Sequence, residues 1–329
     1  MKNYLSIHDI PDLNMAIKEA LYMKEFPYAF AEAGKRKTLG LLFFNSSLRT
    51  RLSTEKAARN LGMNVMTLNV NSDSWQLEFG DGVVMDANKA EHIKEAAQVL
   101  SQYCDILAVR AFPGLKNKSE DELEIVLTAF ETYASVPIVN LESSTAHPLQ
   151  GFTDAITIYE LTEKCRIENR KPNVVLTWAP HPRALPHAVA NSFVQTMQRL
   201  DVNFTITNPE GYDLSSEVRK ETKVSYNQND AFAKPALSGA EGADIVYVKN
   251  WSSYENYGQV KSQDRSWMIT AEKLKQTNNA KVMHCLPVRR NVVIADDVLD
   301  SAASAVIQQA GNRTWAAQWV LKNILKDGE

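Results

Sequence analysis

The sequence predicts an α/β protein in which two doubly wound parallel sheets carry helices on both faces and are joined by interdomain helices. Three observations lead to this fold class. Short apolar runs typical of buried strands alternate with helical segments along almost the whole chain, which favours parallel sheets with crossover helices. At 329 residues the chain is too long for one ordinary domain. Its apolar fraction of 44% is ample for two cores.

The first half of the chain contains four predicted strands. An amphipathic helix from Asp12 to about Phe26 comes first, and Pro27 should end or kink it. Residues 71–90 show no clear period and predict a long loop, of the kind that often forms a functional lid. The strands predicted in this half are 38–44, 64–70, 105–109 and 137–141, and the helices between them are 48–61, 91–103 and 120–133.

The second half repeats the alternation of strands and helices. Residues 148–163 predict a helix that leaves the first sheet, so the boundary is expected near residue 150, between a domain of residues 1–150 and one of residues 151–310. The closing helix, about 311–325, could stay with the second domain or pack back on the first. The other elements predicted here are strands 173–178, 202–207, 244–248 and 281–283 and helices 184–200 and 230–241.

The bulk properties predict a globular protein of the cytoplasm. A net charge of −3 favours neither nucleic acid nor an acidic membrane surface as a partner. No apolar run approaches the roughly 20 residues that span a bilayer, and the first residues lack the apolar core of a signal peptide. Three widely spaced cysteines, Cys104, Cys165 and Cys285, fit reduced thiols better than a disulfide framework or a zinc site.

Polar and cationic side chains recur where the predicted strands end. Ligands of open α/β sheets bind outside the carboxyl ends of the strands, so these residues are candidates for the functional site. Chance would scatter them more evenly along the chain. The residues that follow six of the strands are Ser47 to Arg51, Arg110, Glu142 with His147, His181, Lys249, and Cys285 with Leu286.

The segment from Ser47 to Arg51 lies on a predicted strand-to-helix turn. Free backbone N–H groups and the positive end of the helix dipole gather at such a turn, so it favours an anion. The planar guanidinium of Arg49 can hold phosphate oxygens, while Ser47 and Thr50 add hydroxyl and backbone donors. The segment therefore predicts a phosphate cradle.

Three motifs together carry a family resemblance. Ser47-x-Arg49-Thr50-Arg51, His147-Pro148-x-Gln150 and His284-Cys285-Leu286-Pro287 stand in the order and at the separations seen in aspartate and ornithine carbamoyltransferases. Each motif alone is weak, but jointly they span almost the whole chain. The chain most resembles the branch that uses N-acylated ornithine, on account of Trp75, Arg110-Ala111-Phe112-Pro113, Leu286-Pro287-x-Arg289-Arg290-Asn291 and Ala310-x-Asn312-Arg313.

The resemblance implies a carbamoyltransferase that needs no metal or organic cofactor, because the leaving phosphate can take the proton of the attacking amine. It implies that the first domain binds carbamoyl phosphate and that the Leu286-Pro287 bond is cis. The implied catalytic residues are Arg49, Arg110, His147, Gln150 and Cys285, the last through its backbone. The implied carbamoyl-phosphate ligands are Ser47, Leu48, Arg49, Thr50, Trp75, Arg110, His147, Gln150, Cys285, Leu286, Arg289 and Arg313.

The second substrate is inferred from what the sequence lacks. Ornithine carbamoyltransferases carry a Ser-Met-Gly loop that contacts a free α-amino group, whereas this region begins with Lys249 and contains no Met-Gly. A lysine repels an ammonium and attracts a carboxylate, so we expect an acylated α-nitrogen and an α-carboxylate bound by Lys249. The residues implied to bind acylornithine are Glu142, His181, Lys249, Cys285, Leu286 and Ala90. A homotrimer, in which Trp75 enters the site of a neighbouring subunit, is also implied.

The acyl group is expected to be succinyl. The resemblance to acylornithine carbamoyltransferases implies a role in arginine biosynthesis. Acetyl-specific members tend to carry Glu where this chain has Ala90 and Lys where it has Val293, and a Glu there would repel a succinyl carboxylate. The alternatives are N-acetylornithine, ornithine, putrescine or an oxamate-like acceptor. A nucleotide-binding oxidoreductase is disfavoured because no G-x-G-x-x-G occurs. The intact set of Arg49, Arg110, His147 and Gln150 speaks against a non-catalytic homologue.

Overall fold

The computed structural model describes residues 1–233 and 242–327, which form two compact units. One unit comprises Met1–Leu149 and Arg313–Glu329, and the other comprises Gln150–Asn312. The chain changes unit inside two helices. Residues 234–241 of the predicted helix 230–241 lie outside the described residues.

The first unit is built on a four-stranded parallel sheet of order β2-β1-β5-β6. A separate parallel pair joins β3 to β4. A short 3₁₀ turn lies at Ile7–Asp9 here, and another lies at Arg265–Trp267 in the second unit. The strands are β1 Thr38–Phe43, β2 Asn64–Asn69, β3 Leu77–Glu78, β4 Glu91–His92, β5 Ile106–Arg110 and β6 Ile138–Glu142. The helices are α1 Leu13–Glu25, α2 Arg49–Asn60, α3 Val70–Asp73, α4 Ile93–Tyr103, α5 Lys118–Glu122 and α6 Ile125–Tyr133.

One core of this unit lies between the sheet and the helices α4 and α6. Leu42 and Leu107 of the sheet pack with Ile93, Ala97 and Phe130 of the helices, and all five side chains are buried. The apolar residues of α4 recur three and four positions apart, which gives the helix one face for the sheet. The central strand β1 is buried along five of its six residues, as expected of a parallel strand covered by helices.

The second unit is built on a five-stranded parallel sheet of order β11-β10-β7-β8-β9. The helix α14, Val306–Asp327, closes the chain and passes from this unit to the first one at Arg313. The strands are β7 Asn173–Trp178, β8 Asn203–Thr207, β9 Lys223–Ser225, β10 Ile245–Lys249 and β11 Lys281–Met283. The helices before α14 are α7 Pro148–Leu161, α8 Glu163–Ile167, α9 Ala188–Met197, α10 Ser216–Arg219, α11 Gln228–Ala233, α12 Ala271–Leu274 and α13 Asp296–Leu299.

Alternate side chains of the strands in this unit enter two different cores. Leu176 of β7 and Tyr247 of β10 pack with Phe193 of α9 on one face of the sheet. Val175 and Val246, their neighbours in the chain, lie in the other core, which also contains Phe232 of α11. Because successive residues of a strand point to opposite faces, this division shows that both faces of the sheet are covered. The predicted class of parallel sheets with helices is confirmed.

The structure corrects three predicted elements and adds one strand. The loop predicted for residues 71–90 contains most of α3 and the strand β3, which gains a partner in β4. The predicted helix 120–133 is broken at Glu124, which has a left-handed backbone with φ of 51° and separates α5 from α6. The strand β9 was missed because only three residues pair. The predicted helix 184–200 begins later, at Ala188, beyond Pro186.

Two further sequence expectations concern membranes and thiols. Among the described residues, none of the helices combines the length and the apolar character needed to cross a membrane. All three cysteines are free thiols; Cys104 and Cys165 are buried and Cys285 is half-buried.

Candidate active site

The predicted strand-to-helix turn is present in the first unit. The strand β1 ends at Phe43, and α2 begins at Arg49 with Leu48 as its N-cap. The backbone N–H of Thr50 donates a hydrogen bond to Ser47 Oγ at 3.2 Å, whereas the side chain of Leu48 provides no cap. The first turn of this helix therefore keeps backbone donors at the carboxyl end of the sheet, as an anion site requires.

Two guanidinium groups converge on the hydroxyl of Thr50. Arg110 Nη1, from the end of β5, donates to Thr50 Oγ1 at 3.1 Å, and Arg313 Nη2, from α14, donates to the same oxygen at 2.7 Å. All three residues are buried. Two buried cations beside a helix N-terminus make a strong positive centre, because charges interact more strongly away from water.

Glu142 supplies the negative charge of this cluster. Its Oε2 lies 2.5 Å from Arg110 Nη1 and 3.4 Å from His147 Nε2. The strands β5 and β6 shift register between Val109 and Arg110, which places Arg110 opposite Glu142. The resemblance assigned Glu142 to the acylornithine. The structure places it in the first unit, where it bonds to two of the predicted carbamoyl-phosphate ligands.

Trp75 and Ala90 lie on the surface of the first unit. The indole Nε1 of Trp75 donates to Glu91 Oε2 at 2.7 Å, while 58% of the residue is exposed. Ala90 is exposed and directly precedes β4, the strand that begins with Glu91. Trp75, the predicted interface residue, therefore contacts Glu91, which directly follows Ala90, the predicted specificity position.

Two predicted site residues, His181 and Arg289, meet in the second unit. Arg289 Nε donates to His181 Nε2 at 3.1 Å, and His181 Nδ1 lies 2.8 Å from the backbone oxygen of Arg183. Burial lowers the pKa of His181 below its ordinary value, and the charges of Arg289, Lys249 and Arg183 lower it further. The lowered pKa favours the neutral imidazole, and the bond from Arg289 makes Nε2 the acceptor in that form. The resemblance assigned Arg289 to carbamoyl phosphate, and its contact here is with a predicted acylornithine ligand.

A second group in this unit consists of Gln150 and the turn after β11. Gln150 Nε2 donates to Asp154 Oδ1 at 2.7 Å, one turn further along α7. In the turn, the backbone N–H of Leu286 donates to His284 Nδ1 at 2.9 Å. The Leu286-Pro287 bond is cis, as the resemblance implied. Within residues 1–233 and 242–327, no group of three or more His, Cys, Asp and Glu side chains is placed to hold a metal ion.

Comparison with known proteins decides the family. The model for the carbamoyl-P binding domain of aspartate/ornithine carbamoyltransferases matches residues 2–160, and the model for the Asp/Orn binding domain matches residues 186–324. The chain belongs to the aspartate/ornithine carbamoyltransferase family.

Several individual proteins that are similar to this chain are carbamoyltransferases that use acylated ornithine. The chain is 47% identical to an N-succinylornithine carbamoyltransferase of Bacteroides thetaiotaomicron over 328 residues, which cover 99% of each protein. It is 46% identical to an N-succinylornithine carbamoyltransferase of Bacteroides fragilis over 329 residues, again 99% of each. Among solved structures, an N-acetyl-L-ornithine transcarbamylase variant with one glutamate replaced by alanine matches with a TM-score of 0.88 and 32% identity. The match covers 98% of this chain and 100% of that one. That variant was crystallised with carbamyl phosphate and N-succinyl-L-norvaline.

One supporting residue of this carbamoyltransferase was missed by sequence reasoning. Glu124 accepts hydrogen bonds from the backbone N–H groups of Ser144 and Thr145, at 3.0 and 2.7 Å, and from the hydroxyls of Ser143 and Thr145, at 2.8 and 2.5 Å. These bonds hold the turn that leads into His147. A turn of small hydroxyl residues signals a need for an acceptor, but nothing in the sequence points to a glutamate some 20 residues earlier.

The pKa of His181 provides a test of the second-unit geometry. Replacing Arg289 by Gln (Arg289→Gln) removes both a nearby cation and the hydrogen bond to the neutral imidazole, so the pKa of His181 should rise. An NMR titration of the labelled imidazole nitrogens, assigned with His181→Asn, measures it. Arg290→Gln is the matched control, because the Arg290 guanidinium pairs with Asp296 and Asp300 instead. An unchanged or lower pKa in Arg289→Gln would contradict the described contact.

Proposed function

We propose that the protein transfers the carbamoyl group of carbamoyl phosphate to the δ-amino group of N-succinyl-L-ornithine, giving N-succinyl-L-citrulline and phosphate in arginine biosynthesis. The observation that carries the reaction is the convergence of Arg110 and Arg313 on Thr50 at the start of α2. This centre suits a phosphate dianion, and it stands on the segment that carries the family's first motif. The identity to succinylornithine enzymes along the whole chain supports the acceptor.

The phosphate end of carbamoyl phosphate is assigned to the donors of the first unit. The backbone of α2's first turn and the guanidinium groups supply donors, and the Ser47 and Thr50 hydroxyls, whose oxygens accept the bonds described above, each have one O–H to donate. The full set proposed to contact carbamoyl phosphate is Ser47, Leu48, Arg49, Thr50, Trp75, Arg110, His147, Gln150, Cys285, Leu286, Arg289 and Arg313.

Catalysis is proposed to rest on donors aimed at the carbonyl oxygen. Attack of the δ-amine turns this oxygen into an oxyanion, and Arg110 and His147 would stabilise it. Glu142 contacts both residues and so holds them in place. Backbone carbonyls of the turn at Cys285 would accept from the carbamoyl NH2. The tetrahedral intermediate collapses with cleavage of the C–O bond, and the departing phosphate takes a proton from the former amine.

The acceptor is assigned to groups that match its charges. Lys249 would bind the α-carboxylate, because a cation favours a carboxylate and disfavours a free α-ammonium. The lowered pKa of His181 favours its neutral form, which does not repel the δ-ammonium before that group loses its proton. Glu142 is proposed near the same nitrogen. The remaining proposed contacts with acylornithine are Cys285, Leu286 and Ala90.

The succinyl group is proposed because Ala90 leaves space and no charge. Ala90 is exposed, and Val293, where acetyl enzymes tend to have Lys, is packed in the core of the second unit. An acetylornithine enzyme in which one glutamate became alanine was crystallised with a succinyl compound, which supports the same reasoning. N-acetylornithine remains the second candidate, because that solved structure is built on an acetylornithine enzyme.

Association into a homotrimer is also proposed. Leu48, Leu52, Met66 and Trp75 are large apolar residues of the first unit that are each more than half exposed, and Met66 lies on the edge strand β2. Such residues are typical of an interface, and Trp75 is proposed to reach a neighbouring site. Light scattering should give three chains per particle, and a monomer would contradict the proposal. The free thiols support a cytoplasmic location, which cell fractionation tests.

The acceptor panel tests the proposed reaction. Carbamoyl phosphate is incubated with N-succinylornithine, N-acetylornithine and ornithine in parallel, and the citrulline-type product is measured. We expect turnover of the succinyl compound. Arg49→Ala should lower kcat/KM by roughly 100- to 1000-fold, the usual cost of losing a donor to the reacting group. Arg59→Ala on the same helix, whose guanidinium pairs with Glu55, should leave it unchanged. Turnover of ornithine alone would overturn the proposed acceptor.

The acyl specificity is tested at Ala90. Ala90→Glu should lower kcat/KM for N-succinylornithine by roughly 10- to 100-fold and spare N-acetylornithine, because only the succinyl compound brings a second like charge to the site. Ala87→Glu adds the same charge at another exposed position of the same segment and serves as the control. Equal losses on both substrates, or none on either, would remove Ala90 from the acyl site.

A further inference from the structure

Asp154 accepts hydrogen bonds from two glutamine amides in the second unit. Gln150 Nε2, from α7, and Gln309 Nε2, from α14, both approach Asp154 Oδ1 at 2.7 Å. Gln309 Oε1 in turn accepts from the backbone N–H of His284 at 2.9 Å, and His284 Nδ1 accepts from the backbone N–H of Leu286. One carboxylate thus connects the Gln150 side chain to the turn that contains Cys285.

We propose that Asp154 is a positioning residue for carbamoyl transfer, which fixes the orientation of the Gln150 amide and, through Gln309, the start of the turn at Cys285. The inference rests on the function proposed above. It adds a residue that stands in none of the three family motifs and that contacts no substrate in the proposed reaction.

The orientation of the two amides follows from which atoms can donate. An ionised carboxylate only accepts hydrogen bonds, whereas a glutamine amide has a donating end and an accepting end. Both amides must therefore turn their NH2 groups toward Asp154. Their oxygens then face the other way, and Gln309 uses its oxygen to hold the His284 N–H. The Gln150 NH2 group is held by Asp154, so the oxygen of this amide is the atom that could accept a hydrogen bond from the NH2 group of a carbamoyl ligand.

The burial of this network makes the orientation costly to change. Gln150, Asp154, His284 and Gln309 each expose less than 5% of their surface. Water therefore cannot compensate a reversed amide, and a partly satisfied buried network costs more than an apolar one. Tyr247 lies beside the carboxylate and is fully buried. Burial and the charge of Asp154 raise its pKa well above 10, so its phenol stays protonated.

The test separates positioning from stability. Asp154→Ala removes the shared acceptor, and Thr157→Val removes another buried contact between α7 and α14, in which Asn312 Nδ2 donates to Thr157 Oγ1 at 2.9 Å. Both variants should lower the melting temperature. Only Asp154→Ala should lower kcat, by roughly 100-fold, the order expected when a reacting group is misplaced by about 1 Å. Asp154→Asn keeps an oxygen acceptor and should recover activity to within about tenfold of the natural enzyme.

Binding supplies a readout that needs no acceptor substrate. Phosphonoacetamide carries both the carboxamide and the phosphonate, so the natural protein should bind it more tightly than inorganic phosphate in calorimetry. Asp154→Ala should lose this advantage while keeping the affinity for phosphate. Gln309→Met, which spares Gln150 but breaks the bond to His284, should lower kcat as well and serves if Asp154→Ala does not fold.

Two outcomes would overturn the inference. One is natural kcat and natural preference for phosphonoacetamide in Asp154→Ala, or in Gln309→Met where the first variant does not fold. The other is an equal loss of kcat in Thr157→Val, which would make the effect one of stability. A natural protein that forms no product with any acceptor and does not distinguish the two anions would instead refute the proposed function.

Discussion

The buried positive charge around Thr50 is the constraint on which the first unit depends. Two guanidinium groups donate to one hydroxyl, and burying such charges is costly unless partners surround them. Glu142 meets part of this need, and its strand must be in register with β5 for it to do so. Arg313 can take part only because α14 carries it to this unit. The charge that remains suits a dianionic ligand, which would complete the compensation.

The sequence predicted the central strands and the residues that follow them, because both signals are local. Buried parallel strands are continuous apolar runs, and ligands of such sheets gather where the runs end, so Arg110, His181 and Lys249 could be predicted as candidate site residues from the sequence. The break at Glu124 could not, because a left-handed residue inside a helical pattern is fixed by its bonds to a turn about 20 residues later. The three-residue strand β9 gave too short a pattern.

Supporting residues were missed for the same physical reason. Asp154 lies on the buried side of an ordinary helical segment. Its proposed role depends on a hydrogen bond from Gln309, which is 155 positions away in the sequence. A motif names the groups that touch a ligand, since their chemistry is distinctive. The groups that orient them need only be acceptors or donors at the right place, and many residue types satisfy that demand.

The two units differ in the direction of the hydrogen bonds that they organise. In the first, Thr50 and Glu142 accept from cations, and α2 begins at the carboxyl end of the sheet, where a helix N-terminus favours an anion. In the second, Asp154 turns the donating ends of two amides inward, which leaves oxygens to serve as acceptors. Carbamoyl phosphate requires both kinds of partner, because its phosphate and carbonyl oxygens accept while its NH2 group donates. An acceptor-only carboxylate enforces the second polarity, whereas an amide in its place still offers one acceptor but no longer excludes the reverse orientation.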